Sequence, residues 1–321
     1  MLDKQILIFR IKLSRIKARE FALLEVKSFL NDIEDVEVVI GGPLSTEKGV
    51  IAAYLPADVD IDTLIQDFNK FGYIEKVEMM QRIQNANKNA IKWKGQFYEL
   101  ETIYEEDKDT VRNQAPDKRP FLLPDPTGKL RYVNGYRGDG TDTGRRALPV
   151  EDCKMMLNIS NVKPGQKILD PFGGGGGIVF AAKQYEAKIY SSDIDPILQH
   201  GLRDYGSEHS VASIEKLPFE PGFFDAVVTE APFDENVTPI VVKGMEEIVR
   251  VTTPKAHIVM MTGENQADAV RAKAQSLNLE AYIDQQIDRK GTPVHIFGWK
   301  KKVLNKINEM FLQQLITKSN F

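Results

Sequence analysis

One segment limits the possible folds of this chain more than any other: Ile168-Leu-Asp-Pro-Phe-Gly-Gly-Gly-Gly-Gly-Ile178. Its residue order predicts a short buried strand, a turn of five consecutive glycines and the beginning of a helix. Glycines let a ligand approach the backbone closely, and the first turn of the new helix points free N–H groups at that ligand. The segment therefore predicts a ligand site where a strand ends and a helix begins.

Strand and helix patterns alternate on both sides of this turn. Helices are expected at 149–159 and 178–185. Strands are expected at 167–170, 188–192, 224–230 and 256–262, followed by a hairpin of 279–286 and 294–301. This order predicts an α/β fold in which a mostly parallel sheet has helices on both faces and one antiparallel strand. We expect such a Rossmann-like domain at residues 147–302.

Three classes of ligand bind glycine turns of this kind, and the neighbouring residues favour one class. A nucleoside triphosphate site ends in Gly-Lys-Ser/Thr, whereas Ile178 and Val179 follow the last glycine here. A dinucleotide site has the pattern G-x-G-x-x-G, which no starting glycine of this turn completes. An S-adenosylmethionine site fits better, because acidic residues end both neighbouring strands.

Two carboxylates stand where S-adenosylmethionine requires them. Asp170 ends the first strand and can meet the ammonium of the methionine part, directly or through water. Asp193 follows 23 residues later, at the end of the second strand, where it can accept hydrogen bonds from both ribose hydroxyls. The alternative is a glycine-rich turn with a helix-capping aspartate and no ligand, which this order of elements disfavours. The expected cofactor contacts in this region are Asp170, Pro171, Phe172, Gly173, Gly174, Gly175, Asp193 and Ile194.

Residues 5–80 have a second pattern. Strand patterns at 5–13, 36–40, 50–55 and 73–79 enclose helix patterns at 15–30 and 60–71. This βαββαβ order is that of the ferredoxin-like α+β fold, so we expect an N-terminal domain of this class at residues 1–82. Residues 83–146 are expected to form a linker or extension with a strand at 97–104 and a basic, Pro- and Gly-rich segment. Residues 303–321 are expected to form a C-terminal helix.

Charge is distributed unevenly along the chain. The whole sequence has 42 Lys and Arg against 46 Asp and Glu, which excludes a chain that is basic throughout. Residues 118–146 nevertheless contain seven basic and three acidic residues, and 289–306 contain six basic residues and no acidic one. Basic clusters on an acidic body permit localised contact with RNA phosphates. The expected substrate-binding residues are Arg119, Arg137, Arg145, Arg146, Arg289 and Lys290.

The remaining composition excludes several other classes of protein. Cys153 is the single cysteine, so no internal disulfide or thiolate metal cluster forms. The four histidines do not form a metal-ligand pattern, and no metal is expected. No apolar run approaches the ~20 residues that span a bilayer, and the charged N-terminus does not have a signal-peptide pattern. We therefore expect a cytoplasmic protein that is a monomer or a weak dimer.

The glycine turn and several flanking segments resemble a known family. Asp170-Pro-Phe-Gly-Gly-Gly-Gly-Gly-Ile178 is similar to the Asp-Pro-Phe-Cys-Gly-Thr-Gly-Gly-Ile loop of the RNA methylase family, which includes the THUMP-bearing tRNA guanine-N2 methyltransferases. Further segments resemble that family in the same order: Asp117-Lys-Arg-Pro-Phe121, the helix at 150–159, Ser192-Asp-Ile-Asp-Pro196, Leu217-Pro-Phe219 and Phe224-Asp-Ala-Val-Val-Thr-Glu230. The resemblance covers residues 115–300 and implies methyl transfer from S-adenosylmethionine to a base amine of RNA, above all guanine N2 of tRNA.

The catalytic loop is the first departure from the family. The family has Asp/Asn-Pro-Pro-Tyr, whereas this sequence has Glu230-Ala231-Pro232-Phe233. The resemblance implies that Glu230 accepts hydrogen bonds from the base amine, that Pro232 stiffens the turn and that Phe233 stacks on the base. Glutamate is one methylene longer than aspartate, which moves its oxygen by ~1 Å, a shift that matters for catalysis. Ala231 is expected to give a looser turn.

The adenine end of the cofactor site is the second departure. Where the family commonly has an acidic residue that holds the adenine amino group, this sequence has Ser213, followed by Ile214. We expect both residues to contact the cofactor. Two alternatives stay open: a catalytically silent RNA-binding subunit that still binds the cofactor, and a methyltransferase for DNA or another substrate. A simpler alternative is that Glu230 is only the polar end of a buried strand.

Overall fold

Two large β-sheets organise the chain in this computed structural model, which describes residues 4–107, 121–124, 127–133, 148–289 and 292–302. The strands are β1 (Gln5–Ile11), β2 (Glu37–Ile40), β3 (Val50–Leu55), β4 (Ile74–Ile83), β5 (Ile91–Trp93), β6 (Gln96–Glu105), β7 (Phe121–Pro124), β8 (Leu130–Val133), β9 (Lys167–Asp170), β10 (Lys188–Asp193), β11 (Glu208–Val211), β12 (Phe224–Glu230), β13 (Thr252–Gly263), β14 (Leu279–Arg289) and β15 (Thr292–Lys301). The helices are α1 (Arg19–Phe29), α2 (Ile61–Ile65), α3 (Val150–Ile159), α4 (Gly177–Ala182), α5 (Gln199–Asp204), α6 (Thr238–Val251) and α7 (Ala267–Ser276).

The C-terminal sheet has seven strands in the order β11-β10-β9-β12-β13-β15-β14. Strands β9 to β13 pair in parallel, whereas β15 is antiparallel to both of its neighbours. The predicted mostly parallel sheet with one antiparallel strand is therefore confirmed. Because the parallel strands share a direction, their carboxyl ends meet at one edge of the sheet, hereafter the carboxyl edge.

The N-terminal sheet contains six strands in the order β2-β3-β1-β4-β6-β5, and every pair is antiparallel. Helix α1 packs on one face of this sheet, where the fully buried rings of Phe9, Phe21, Phe68 and Phe71 meet. The predicted helix at 60–71 is wrong in length, since α2 ends at Ile65 and a 3₁₀ turn over Phe68–Lys70 follows. That turn brings two of these phenylalanines into the core.

The N-terminal sheet extends further along the chain than the sequence predicts. The strand expected at 97–104, within the predicted linker or extension, is β6, which pairs with β4 up to Glu105 and so belongs to this sheet. A tight turn joins β5 to β6, because Lys94 and Gly95 both have positive φ angles, 46° and 78°. The sheet also curls, so that Tyr54 on β3 stacks on Trp93 on β5 with ring centroids 5.7 Å apart. This curl covers the sheet face opposite α1.

The N-terminal sheet and the C-terminal sheet share one apolar core through helices α1 and α3. At their contact, the fully buried carboxylate of Glu25 accepts hydrogen bonds from the backbone N–H groups of Gly72 (2.6 Å) and Tyr73 (2.9 Å). It also accepts one from Nδ2 of Asn158 on α3, at 2.7 Å. The hydroxyl of Tyr73 in turn donates to Asp152 on α3, at 2.8 Å. The two units therefore form one packed body.

Several predicted features lie outside the described residues. They are the C-terminal helix at 303–321 and most of the basic stretch at 118–146. In the part of the chain that the structure describes, no helix is long and apolar enough to cross a membrane.

Candidate active site

Three carboxylates lie together at the carboxyl edge. Asp170 ends β9, Asp193 ends β10 and Glu230 ends β12, and β9 stands between the other two strands. Asp193 and Glu230 are close enough to Asp170 to help raise its pKa. This arrangement is consistent with the sequence prediction that these side chains come together. A group of carboxyl side chains suits a cationic ligand.

Asp170 is a buried carboxyl with a raised pKa. Its side chain is buried, and its Oδ1 accepts hydrogen bonds from the Thr229 hydroxyl (2.7 Å) and from the backbone N–H of Phe172 (3.3 Å). Burial raises the pKa of Asp170 to about 7, since the two hydrogen bonds offset only part of the desolvation. A positively charged group beside this carboxyl would restore its ionised form, which fits the ammonium of S-adenosylmethionine.

The glycine turn is fastened to the end of β10. The backbone N–H of Gly173 donates to the Ser192 carbonyl at 2.8 Å, and that of Gly174 donates to Oδ2 of Asp193 at 2.9 Å. Gly174 and Gly176 have φ angles of 47° and 79°, which favour glycine. A Cβ on Gly176 would also lie 2.7 Å from the ring of Tyr205. Glycine is therefore strongly favoured at positions 174 and 176 of the turn.

Asp193 retains capacity for a ligand. Its Oδ2 accepts from Gly174, and its Oδ1 accepts from the backbone N–H of Asp195 at 3.0 Å. A carboxylate has about four acceptor positions, so two remain for other donors. Two ribose hydroxyls would fit these positions. Beside Asp193, the side chain of Ile194 is 73% exposed and offers an apolar surface to a ring.

Ser213 and Ile214 follow β11 at the same edge and differ in their surroundings. Oγ of Ser213 accepts a hydrogen bond from the backbone N–H of Glu215 at 3.2 Å, so this hydroxyl retains its proton for another partner. The side chain of Ile214 is buried against Gly244 of α6, where a Cβ on the glycine would lie 2.4 Å from Cγ1 of Ile214. Only the backbone of Ile214 remains for a ligand.

Ala231 does not loosen the loop, contrary to the sequence expectation. Its backbone N–H donates to the carbonyl of Met261 on β13 at 2.9 Å, and its side chain is buried. Glu230 pairs with Met261 in the β12–β13 register, so this bond extends the pairing by one residue beyond the strand end. A proline at this position would have no N–H to donate. Alanine therefore does not have the rigid ring of the family's proline, but it makes a hydrogen bond to β13 that proline cannot make.

Comparison with known proteins finds methyltransferases that are similar to this chain. Residues 169–260 match the methyltransferase domain family. The tRNA (guanine(10)-N2)-dimethyltransferase of Methanothermobacter thermautotrophicus is 28% identical over 181 residues, which are 54% of this chain and 46% of that protein. The tRNA (guanine(10)-N(2))-methyltransferase TRMT11 of Xenopus laevis is 22% identical over 257 residues, 67% of this chain and 52% of that protein. The chain spans about half the length of these relatives.

A solved structure also shares the fold. TrmN from Thermus thermophilus superposes with a TM-score of 0.51 at 13% identity, over 92% of this chain and 99% of that one. This likeness shows a common fold and no more. Together the matches confirm the resemblance that the glycine turn indicates, and the Rossmann-like methyltransferase fold of the C-terminal unit. None of them shows a THUMP domain.

Two residues near the loop were missed by the sequence analysis. Thr229 precedes Glu230, and its hydroxyl donates to Asp170, so the buried carboxyl of Asp170 and the loop that begins at Glu230 are directly linked. Gln266 follows β13 and is fully buried. Its Nε2 donates to the carbonyls of Pro232 at 2.9 Å and Asp234 at 3.2 Å. A polar residue just after the carboxyl end of a parallel strand is the sequence signal that could have found Gln266.

The predicted catalytic residues differ in exposure. Pro232 is exposed, Glu230 is half-buried, and Phe233 is half-buried with its side chain packed against the shared core. Gly263, the last residue of β13, approaches the loop so closely that a Cβ there would lie 3.3 Å from Cβ of Phe233. The aromatic side chain is thus held between the core and the end of β13.

Most of the predicted substrate-binding residues are beyond what the structure describes. Arg289 ends β14 at the carboxyl edge, since β14 runs parallel to β13. Arg119, Arg137, Arg145, Arg146 and Lys290 lie outside the described residues. Within the described ranges, no group of three or more His, Cys, Asp and Glu side chains could hold a metal ion.

Proposed function

We propose that this chain is an S-adenosylmethionine-dependent methyltransferase whose substrate is a base amine of tRNA, guanine N2. One observation carries the proposal: Asp170, Asp193 and Glu230 end three neighbouring strands around a glycine turn. The matches to a methyltransferase domain and to two tRNA guanine-N2 methyltransferases support the same activity.

The cofactor would be held mainly by two carboxylates. Asp170 would bind the ammonium group, and Asp193 would accept from the ribose hydroxyls with the acceptor positions that Gly174 and Asp195 leave free. Ile194 and Ser213 would contact the adenine, together with Pro171, Phe172, Gly173, Gly175 and the backbone of Ile214. When bound, S-adenosylmethionine supplies a methyl group that is electrophilic because it is attached to a sulfonium.

Glu230 would act on the base amine. The lone pair of an exocyclic amine is delocalised into the ring, so the nitrogen is a weak nucleophile. An acceptor at Glu230 that binds an N–H of this amine favours a pyramidal nitrogen and aims its lone pair at the methyl group. The amine nitrogen would lose a proton when it is methylated, and a carboxylate oxygen of Glu230 would accept that proton.

Phe233 and Pro232 would hold the flipped base. An aromatic ring provides a stacking surface for a base taken out of its helix, worth ~1–3 kcal/mol in single-stranded complexes. Phe233 has no hydroxyl, so its contribution is stacking alone. Pro232 limits the backbone freedom of the turn next to it.

The rest of the chain would position the tRNA. The strand order β2-β3-β1-β4 with α1 and α2 between the strands supports a ferredoxin-like core for the N-terminal unit. Phosphate contacts would come from the predicted basic residues, which are Arg119, Arg137, Arg145, Arg146, Arg289 and Lys290.

Transfer of a labelled methyl group to bulk tRNA, rRNA and DNA tests the proposal. Wild-type protein should label tRNA, and Glu230→Ala should reduce the rate about 100-fold or more. Glu235→Ala, an exposed glutamate next to the same loop, is the matched control and should keep the wild-type rate. Equal labelling by Glu230→Ala and wild type would remove Glu230 from the mechanism.

Calorimetry with S-adenosylmethionine separates the alternatives. Binding of the cofactor without labelling of any nucleic acid would favour a catalytically silent subunit. Absence of cofactor binding would contradict both the enzyme and the silent subunit. Labelling of DNA in preference to tRNA would replace the proposed substrate.

A further inference from the structure

The backbone that carries Glu230 and Phe233 is anchored at two places. At its start, Ala231 donates to the Met261 carbonyl of β13 at 2.9 Å. Further along, Nε2 of Gln266 donates one hydrogen bond to Pro232 and a second to Asp234. These two acceptors are the carbonyls immediately before and after Phe233. Both anchors come from β13 and the turn that follows it.

Gln266 is well suited to act as a fixed clamp. Its side chain is fully buried, and its Oε1 accepts a hydrogen bond from the backbone N–H of Gly263 at 3.2 Å. Both hydrogens of its Nε2 amide are donated to the loop, so the two donors and the Oε1 acceptor of this side chain all make hydrogen bonds. Loss of these hydrogen bonds would leave a buried amide unsatisfied and would cost free energy, so Gln266 stays bound to the loop.

The rest of the loop has few internal restraints in the described structure. Asp234 accepts from the backbone N–H of Asn236, and Val237 donates to the Asp234 carbonyl, both beyond Phe233. Between Ala231 and Asp234, Gln266 donates two hydrogen bonds that fix the backbone. Pro232 restricts one residue only. The Phe233 ring packs against the core and the end of β13, and the backbone on both sides of it is fixed by a side chain from another part of the chain.

We propose that Gln266 is a positioning residue for methyl transfer: it fixes the Phe233 backbone from both sides and so sets the place where the flipped base stacks. This inference rests on the function proposed above. Gln266 itself touches neither the base nor the cofactor. It acts through Phe233, and through the loop that begins at Glu230. The contacts of Asp170 and Asp193 described above do not include Gln266.

Gln266→Met tests this proposal, because methionine has a similar length and no hydrogen-bond donor. Gln275→Met is the matched control, since Gln275 is exposed on α7. The expected result for Gln266→Met is a fall in kcat of about 100-fold, in line with a misplacement of the reacting group by ~1 Å. The Kd for S-adenosylmethionine should stay at the wild-type value, and Gln275→Met should match the wild type in both.

Amide hydrogen exchange of the cofactor-free protein provides a readout that does not depend on activity. In Gln266→Met, exchange should accelerate in peptides covering 231–237 and stay unchanged in peptides covering 170–177. Gln266→Asn, which keeps the amide but is one methylene shorter, should give the same pattern if the methionine variant does not fold.

The outcomes distinguish the two proposals. A wild-type kcat and wild-type exchange in both Gln266 variants would overturn the clamp. A loss of cofactor affinity as large as the loss of kcat would also overturn it, because Gln266 would then support the whole site. If the wild-type protein labels no tRNA, the proposed function fails. Amide hydrogen exchange in peptides covering 231–237 then decides by itself whether Gln266 orders the loop.

Discussion

Asp170→Asn gives the sharpest test of the charge arrangement at the carboxyl edge. Burial raises the pKa of Asp170 to about 7 from an ordinary value of 3.8, with smaller contributions from the nearby Asp193 and Glu230. Asparagine keeps an oxygen that can accept from Thr229 and Phe172, and it cannot ionise. The variant therefore removes the titration of this group while it preserves the acceptor.

The sign follows from proton linkage. The folded state binds the Asp170 proton more tightly than the unfolded state does, so stability falls as pH rises between the two pKa values. The contribution is fully present below pH 3.8 and is lost as pH rises through about 7. With ~1.4 kcal/mol per pKa unit, the wild-type protein should lose ~2.6 kcal/mol through this group between pH 5 and pH 8.

Urea denaturation of both proteins at pH 5 and pH 8 measures this difference. The stability of Asp170→Asn relative to wild type should increase by ~2.6 kcal/mol over that interval. Addition of S-adenosylmethionine at pH 8 should stabilise the wild type and not the variant, because the ammonium then balances the ionised carboxylate. If the difference in stability between Asp170→Asn and wild type does not change with pH, the inference that burial raises the pKa of Asp170 is wrong.

Other single substitutions test the packing around the site. A Cβ on Gly72 would lie 2.1 Å from the Glu151 carbonyl oxygen, so Gly72→Ala should lower the free energy of unfolding by about 3 kcal/mol in urea denaturation. Ala231→Pro removes the N–H that binds the Met261 carbonyl and should cost ~1 kcal/mol in the same assay. Burial lowers the pKa of His257 to about 4, so wild-type stability should fall as pH decreases from 6.5 to about 4; His257→Gln should not show this loss between pH 7 and pH 4.5.

The parts of the fold that the sequence predicts are those that depend on local patterns. The strand patterns and the run of glycines place Asp170, Asp193 and Glu230 at strand ends. Parallel pairing then brings those ends to one edge of the sheet. The βαββαβ order likewise follows from residues close together in the chain. Helix α2 is shorter than its pattern predicts because Phe68 and Phe71 reach the core through a 3₁₀ turn.

The contacts that the sequence does not predict join residues far apart in the chain. Gln266 reaches Pro232 across 34 positions, and Asn158 reaches Glu25 across 133. Tyr54 meets Trp93 only because the N-terminal sheet curls past three intervening strands. Local periodicity contains no information on such tertiary paths. The role of a buried polar side chain depends on the hydrogen-bond partner that the fold places beside it.

The described loops at the carboxyl edge are acidic, which restricts where the phosphates of the proposed tRNA substrate would bind. After β10 to β13 these loops carry one basic residue, Lys216, and the following acidic ones: Asp195, Glu215, Asp234, Glu235 and Glu264. Such an edge attracts a cationic cofactor and repels phosphates, so the backbone of the proposed tRNA substrate would need a separate basic surface.

The double substitution Arg145→Ala and Arg146→Ala tests whether the basic stretch at 118–146 provides that surface. If both arginines bind phosphates, tRNA affinity should fall, and the slope of log Kd against log salt should decrease by ~1.5, because fewer counterions are released on binding. Filter binding at several salt concentrations measures the slope, and calorimetry should show unchanged cofactor affinity. A wild-type slope in the double variant would place the phosphate contacts elsewhere on the chain.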